Sequence, residues 1–442
     1  MGKVKVLTAR QAADLIKDGD TVTLSGFVAN GIAEALNAAA EERFLETGHP
    51  KDLTLFWVAG TGNKDGSHAD HYAHEGMVKK VIGGHFNFVP KICEMLSENK
   101  IEGYNVPQGA IAQMLRDNAA HKVGTISHVG IGTFADPRNG GGRLSEKTKE
   151  DIVKIIELEG QEQLFYPRIP LDVAFIRGTY ADELGNITLE KEMAPLDATS
   201  QAMAVHNNGG LVVVQVERVV KAGHLDPKLV KIPGIYVDAV VECPADDPKQ
   251  SQSINCTYDP AYAGNTQVPV SSLEPKKLDA KKIIGRRAAM ELKKNVVVNL
   301  GVGVPEWVSS VAAEEGVADE MTLTVECGPV GGVPGGGLRF GGSVNAQAYM
   351  DEGYQFDFYD GGGLDLCFLG LAEVDNNGDV NVSRLGTRIT GSGGFTNISS
   401  NSKKAVFCGT FTNGVKIQTG DGKLTILEEG KKHKFVNKVT EI

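Results

Sequence analysis

Short runs of Val, Leu and Ile recur along the chain, apolar at nearly every position instead of at alternate ones, and stretches with helical spacing separate them. TVTLSGF (21–27), LTLFWVAG (53–60), DVAFIRG (172–178) and LVVVQV (211–216) are followed by VVVNLGVG (296–303), MTLTVECG (321–328), DLCFLG (365–370) and AVFCG (405–409). A strand that is apolar on both faces is one buried on both faces, as in a parallel sheet covered by helices. The pattern predicts an α/β protein with largely parallel sheets and flanking helices.

These runs form one series given twice. DGDTVTLSGF (18–27) resembles KNVVVNLGVG (294–303), and DLTLFWVAG (52–60) lies without gaps on EMTLTVECG (320–328). LDVAFIRGTYADELGNIT (171–188) lies without gaps on LDLCFLGLAEVDNNGDVN (364–381), sharing the turn glycines Gly185 and Gly378, and GGLVVVQV matches KKAVFCGT. Chance likeness between α/β segments would not keep a common order, so duplication is the better account. We expect two similar open α/β domains: an N-terminal domain over 1–243, a linker over 244–279 rich in Pro, Ser, Asp and Asn, and a C-terminal domain over 280–442 opened by helix DAKKIIGRRAAMELKKN.

Composition narrows the function. With 45 Lys+Arg against 56 Asp+Glu and a net charge of −11, the chain is a poor candidate for neutralising nucleic-acid phosphates or an anionic membrane. The six Cys are far apart with no C-x-x-C pair, which predicts neither a disulfide framework nor a zinc knuckle and suits a reduced, cytoplasmic chain. The first twenty residues hold no apolar h-region and no run nears 18 apolar residues, so neither an export signal nor a membrane span is expected. The 54 Gly among 442 residues exceed the usual ~7%, have no G-x-y period, and point to loops where backbone approaches backbone or ligand.

The two copies differ where chemistry would sit. Aligned with Val58 in the first is Glu326 in the second, at the end of a strand, where ligands collect in open α/β sheets. The loop GPVGGVPGGG (328–337) follows it. Such a carboxylate serves as general base or covalent nucleophile, or else caps loop amides, and local sequence leaves both open. DPRNGGGR (136–143), DGGGLD (360–365) and TGSGGF (390–395) can hold a phosphate or an oxyanion, but each alone is a weak signal. GVGVP (301–305) is not a G-x-G-x-x-G fingerprint and no P-loop is present, which disfavours nicotinamide and nucleotide-hydrolysing chemistry.

Three further features carry less. His68, His71 and His74 are spaced i, i+3, i+6, which drifts around a helix, so a partly exposed His-rich helix is expected and no metal site. Cys327 should point to the packing side, opposite to Glu326. Gln108, before the helical pattern AIAQML, either donates its amide to a ligand or closes a turn.

At these residues the chain resembles the class I coenzyme A transferases, in particular the single-chain branch of propionate (lactate, butyrate, acetate) and acetoacetate CoA-transferases. The resemblance runs from about residue 3 to 442 and rests on GDTVTLSGFV, YAHEG (72–76), YNVPQG (104–109), GTFADPRNGGG, FIRGTYADELGNIT, VVVNLGVGVPEWV, TLTVECGPVGGVPGGG, YDGGGLDLCFLGLAEVD and TGSGGFTNIS. It implies a CoA-transferase-like fold and a ping-pong exchange of CoA between a short-chain acyl-CoA and a carboxylate. Glu326 would be the nucleophile, passing through an acyl-glutamyl anhydride to a glutamyl-CoA thioester. It also implies oxyanion donors from Gln108, Gly393 and Gly394, close approach of CoA at Gly301, Gly303 and Gly394, and no permanently bound cofactor or metal. Acyl-CoA and short-chain carboxylates would be the partners of a cytoplasmic homo-oligomer, often a tetramer.

Two departures stand out. Cys follows the glutamate where relatives often have Ser or Ala, and relatives usually continue beyond a segment like KFVNKVTEI (434–442). Two other readings are weighed against the transferase. An acyl-CoA hydrolase would use water as acceptor, and a non-catalytic sugar-phosphate or effector-binding module would leave the Val58/Glu326 asymmetry unexplained.

Overall fold

The computed structural model describes residues 2–269 and 275–442. Eight strands of the first half, β1 (Lys5–Leu7), β2 (Thr21–Leu24), β3 (Leu53–Trp57), β4 (Val78–Gly83), β5 (Glu102–Asn105), β6 (Val173–Arg177), β7 (Leu211–Val216) and β8 (Ala239–Glu242), form one sheet in the order β1-β8-β7-β6-β2-β3-β4-β5. Every pairing in it is parallel. In the second half, β9 (Val297–Leu300), β10 (Thr322–Thr324), β11 (Pro329–Val330), β12 (Ala348–Tyr349), β13 (Leu366–Leu369) and β14 (Ala405–Phe407) are ordered β12-β11-β10-β9-β13-β14. β9, β10, β13 and β14 run parallel, while β11 and β12 are antiparallel additions.

The strands read from the apolar runs occupy equivalent places, β7-β6-β2-β3 in one sheet and β14-β13-β9-β10 in the other. Register agrees with the ungapped alignment: Val22 pairs with Val173 where Val298 pairs with Leu366. The shared Asp of each Leu-Asp pair does the same work twice, since Asp172 accepts the Thr21 N–H at 2.8 Å and Asp365 accepts the Val297 N–H at 2.9 Å. Each copy then turns a hairpin in which Tyr180 faces Thr188 and Glu373 faces Asn381. Gly185 and Gly378 sit in these turns at φ 85° and 87°, a region that L side chains rarely enter.

The two halves share a core. Helix α1 (Gln108–Ala119) buries Ala110, Ile111, Met114 and Leu115 in one apolar cluster with Phe356 and Tyr359 of α2 (Glu352–Asp360) and Ile398 of α3 (Phe395–Asn401). Burying a side chain such as Phe356 is worth roughly 2–3 kcal/mol. The forked Arg116–Asp357 pair across the same seam, half exposed, contributes about 1 kcal/mol or less. Apolar packing therefore dominates the seam. Gly109 lets α1 start against α3, for its N–H donates to Asn397 Oδ1 at 3.0 Å and a Cβ there would lie 2.4 Å from Asn397 Nδ2.

The segment read as a linker is ordered over its described residues and is held by buried polar groups. Gln215 Nε2 donates to Gln250 Oε1 at 2.7 Å, Gln252 Nε2 to the Lys191 carbonyl at 2.7 Å and Ser253 Oγ to the Leu338 carbonyl at 2.8 Å. The Val268 N–H donates to Asn345 Oδ1 at 3.0 Å. Its polarity thus satisfies buried partners in both halves. Residues 270–274 of that stretch lie outside the described residues. Among the described residues no helix is long and apolar enough to cross a membrane.

Candidate functional site

The carboxyl ends of the two sheets face each other across a cavity of about 200 Å³. The first half contributes Val28 after β2, Gly60 after β3, His85 after β4 and Gln108 after β5; the second contributes Gly301 after β9, Glu326 after β10, Leu369 and Gly370 at the end of β13, and the loop Thr390–Phe395. The wall is mainly apolar, with Phe27 and Phe340 stacked at 5.8 Å beside Phe88, Val302 and Val382. Among the described residues neither Lys nor Arg lines it.

Among the described residues Glu326 is the one carboxylate in this wall. It sits in the turn after β10, is 8% exposed, and its Oε2 makes no hydrogen bond among the described residues. Burial raises its pKa to about 7, opposed by its own backbone amide and by the Asn299 side chain. A polar group buried without a partner costs stability, and in a cleft it marks a functional candidate. Beneath it, Tyr359 Oη donates to Thr324 Oγ1 at 2.8 Å and accepts from Gln355 Nε2 at 2.9 Å and Asn299 Nδ2 at 3.2 Å.

Of the residues singled out from the sequence, Glu326, Gln108, Gly301, Gly393 and Gly394 share this cavity. Gly303 does not. It is exposed, and its N–H is taken by Glu306 Oε1 at 2.7 Å, so the second glycine of GVG serves the entry into the next helix. The two glycines of TGSGGF also divide their work. Gly393 donates its N–H to the Gly84 carbonyl at 2.8 Å and accepts the Gln108 N–H at 3.1 Å, pinning the loops of the two halves together. Among the described residues the Gly394 N–H has no such partner, so it can serve as a backbone donor at the cavity. Gln108, the first residue of α1, donates Nε2 to Glu352 Oε1 at 2.5 Å, and among the described residues its second N–H has no acceptor.

The histidine segment differs from the expected helix. His68–Tyr72 is a single 3-10 turn, with His68 wholly buried and its ring nitrogens unpartnered. His71 bridges Glu34 at 2.8 Å and Glu41 at 2.5 Å, and His74 meets Glu41 at 2.7 Å. Burial alone would lower the His71 pKa, but the two carboxylates hold it above the ordinary value. Among the described residues no group of three or more His, Cys, Asp or Glu side chains could hold a metal. Cys327 is buried with Phe27 and Phe340, its thiol donating to the Gly341 carbonyl at 3.2 Å, as alternation predicts.

Four residues at or behind the site were not read from the sequence: His85, Asn299, Glu352 and Asp197. A signal existed for Asn299, because VVVNLG has a polar residue where its repeat partner TVTLSG has the smaller Thr23. His85 lines the cavity, with burial lowering its pKa to about 4 and so keeping the ring neutral. Glu352 and Asp197 arrive from distant helix starts, and no local pattern marks them.

Comparison with known proteins follows the same lines. The profile described as Coenzyme A transferase matches residues 6–243. Acetate CoA-transferase YdiF of Escherichia coli (strain K12) is 44% identical over 445 residues, covering 100% of this chain and 83% of that protein. Caffeate CoA-transferase of Acetobacterium woodii is 42% identical over 443 residues, covering 99% and 84%. The crystal structure of acyl-CoA transferase YdiF from Escherichia coli O157:H7 in its thioester complex with CoA matches with a TM-score of 0.93 at 42% identity, over 100% of this chain and 83% of that one.

Proposed function

The chain belongs to the coenzyme A transferase family, and from that premise we propose that it exchanges CoA between an acyl-CoA and a carboxylic acid through covalent catalysis on Glu326. The observation that carries this reading is a buried carboxylate with one unpartnered oxygen, facing an apolar cavity built by both halves.

The steps balance without an external energy source. The ionised Glu326 carboxylate attacks the thioester carbonyl, and the tetrahedral oxyanion is held by the Gly394 N–H and the free N–H of the Gln108 amide. Collapse breaks the carbon–sulfur bond and gives an acyl-glutamyl anhydride and CoA thiolate. The thiolate attacks the glutamyl carbonyl, the original acid leaves as carboxylate, and a glutamyl-CoA thioester remains. An incoming carboxylate runs the same steps backwards and departs as the new acyl-CoA. A water-poor, apolar wall protects the anhydride and the thioester from hydrolysis, which favours exchange over a hydrolase.

We assign short-chain monocarboxylates such as acetate, propionate and butyrate as the acids, on the strength of a small apolar cavity that offers no cation to a second carboxylate. Intact-protein mass spectrometry after mixing with propionyl-CoA, run beside Glu326→Ala, tests the whole reading. A CoA-sized adduct on the wild type alone, discharged by acetate with acetyl-CoA appearing, is expected. Undiminished exchange by the Glu326→Ala protein would sink it.

A further inference from the structure

We propose that Glu352, paired with Asp197, is a positioning residue that fixes the Gln108 amide with its nitrogen end committed and its second N–H free for the oxyanion. The inference rests on the assignment of Gln108 as an oxyanion donor and extends it to residues that never touch substrate.

A glutamine side chain has freely rotating bonds and an amide whose oxygen and nitrogen ends are nearly the same size. Unanchored, it would present its carbonyl to the cavity as readily as its NH2, and a carbonyl facing an oxyanion repels it. Only an acceptor without donor hydrogens on the facing oxygen selects the nitrogen end. Glu352 Oε1 is that acceptor, 2.5 Å from Gln108 Nε2. It is held rigidly: Glu352 is 1% exposed, opens α2, and donates its own N–H to the Leu196 carbonyl at 3.0 Å, next to Asp197.

The pair also sets the charge behind the site. Asp197 is 4% exposed, and neither carboxyl has a Lys or Arg ion pair among the described residues. Two buried carboxyls that act on one another resist ionising together, which favours one proton held between them. Burial, with the other carboxyl beside it, raises the Glu352 pKa well above the ordinary range, while burial lifts Asp197 to about 7. A protonated Glu352 has a hydroxyl to offer the Asp197 carboxylate and keeps Oε1 as the acceptor for Gln108. Glu352→Gln would reproduce both bonds, whereas Glu352→Ala reproduces neither. For stability alone a buried carboxyl pair is a cost, and apolar residues of the same volume do as well or better; its place behind Gln108 gives it a use.

The test is steady-state kinetics of acyl-CoA/acetate exchange for Glu352→Ala, Glu352→Gln, Gln108→Ala and the double variant Gln108→Ala/Glu352→Ala, with thermal melts of each. Glu352→Ala is expected to lower kcat by about tenfold or more with KM for acyl-CoA within about twofold. Glu352→Gln restores kcat, and in the Gln108→Ala background Glu352→Ala has no further effect. Glu352→Met, which keeps the volume and removes the acceptor, carries the same test where the alanine variant does not fold. Equal losses from Glu352→Ala with and without Gln108, no loss at all, or a Glu352→Gln protein as slow as Glu352→Ala would each overturn the positioning role while leaving Gln108 in place. A Gln108→Ala protein with full kcat would instead overturn the donor assignment beneath it.

Discussion

Val58 and Glu326 stand at the same step of the duplicated unit, four residues beyond Thr54 and Thr322, which pair with Thr21 and Val297 in equivalent register. Val58 packs into the apolar core of the first half. Glu326 turns a carboxylate with an unpartnered oxygen into the cavity between the halves. One half kept the residue that packing favours, and the other carries one that packing opposes.

That opposition is measurable as stability. The folded protein holds the Glu326 proton up to about pH 7, whereas an unfolded chain loses it near 4.5. The wild type is therefore unpenalised below about 4.5, loses stability as pH rises towards 7, and carries the full cost above it. At about 1.4 kcal/mol per tenfold, the gap amounts to roughly 3 kcal/mol. Glu326→Gln is expected to be the more stable protein at pH 8, with the advantage fading on acidification. Thermal melts of both proteins at pH 5 and pH 8 check this, and a constant difference would contradict it.

In the proposed mechanism the same ionisation governs the first chemical step, with the opposite benefit. Only the carboxylate attacks, so kcat/KM for acyl-CoA should rise with pH through a single ionisation near 7 and level off above it. A profile flat from pH 5 to 8 would show the nucleophile already ionised.

Gly109→Ala tests the seam between the halves. The added methyl would lie 2.4 Å from Asn397 Nδ2 and 2.7 Å from the Phe356 ring, with no room on either side. A loss of about 1–3 kcal/mol in denaturant unfolding is expected, together with slower exchange, because α1 carries Gln108.

Acyl selectivity follows from the wall. A dicarboxylate such as succinate would bring its second negative charge into an apolar cavity without Lys or Arg and beside Glu326. Its kcat/KM should fall at least about a hundredfold below that of butyrate, since an unpaired buried charge costs several kcal/mol. Comparable rates for the two would show that a cation reaches the site.

The duplication was legible because its signals are local and repeated: apolar runs in common order, the Asp that starts β6 and β13, the turn glycines Gly185 and Gly378. Glu326 was legible as a difference between copies. Gly303 misled because a glycine loop after a strand looks alike whether its amides meet a ligand or, as here, Glu306. The histidines misled because their spacing cannot show that Glu34 and Glu41 from a neighbouring helix would claim them. Glu352 and Asp197 were invisible for a physical reason: each opens or precedes a helix, where an acidic residue is ordinary. Their meaning exists only once residues far apart in the chain are brought together.

The strap formed by the described residues between the halves bears on dilution. Gln250, Gln252 and Ser253 are anchored on the first half and against Leu338, and Val268 on Asn345. Glu326 and Gln108 therefore meet in a unimolecular step within one chain, with an effective concentration fixed by a tether and not by how much enzyme is present. Lowering enzyme concentration would leave this cavity assembled, and cutting the strap would turn a property of one molecule into an equilibrium between two.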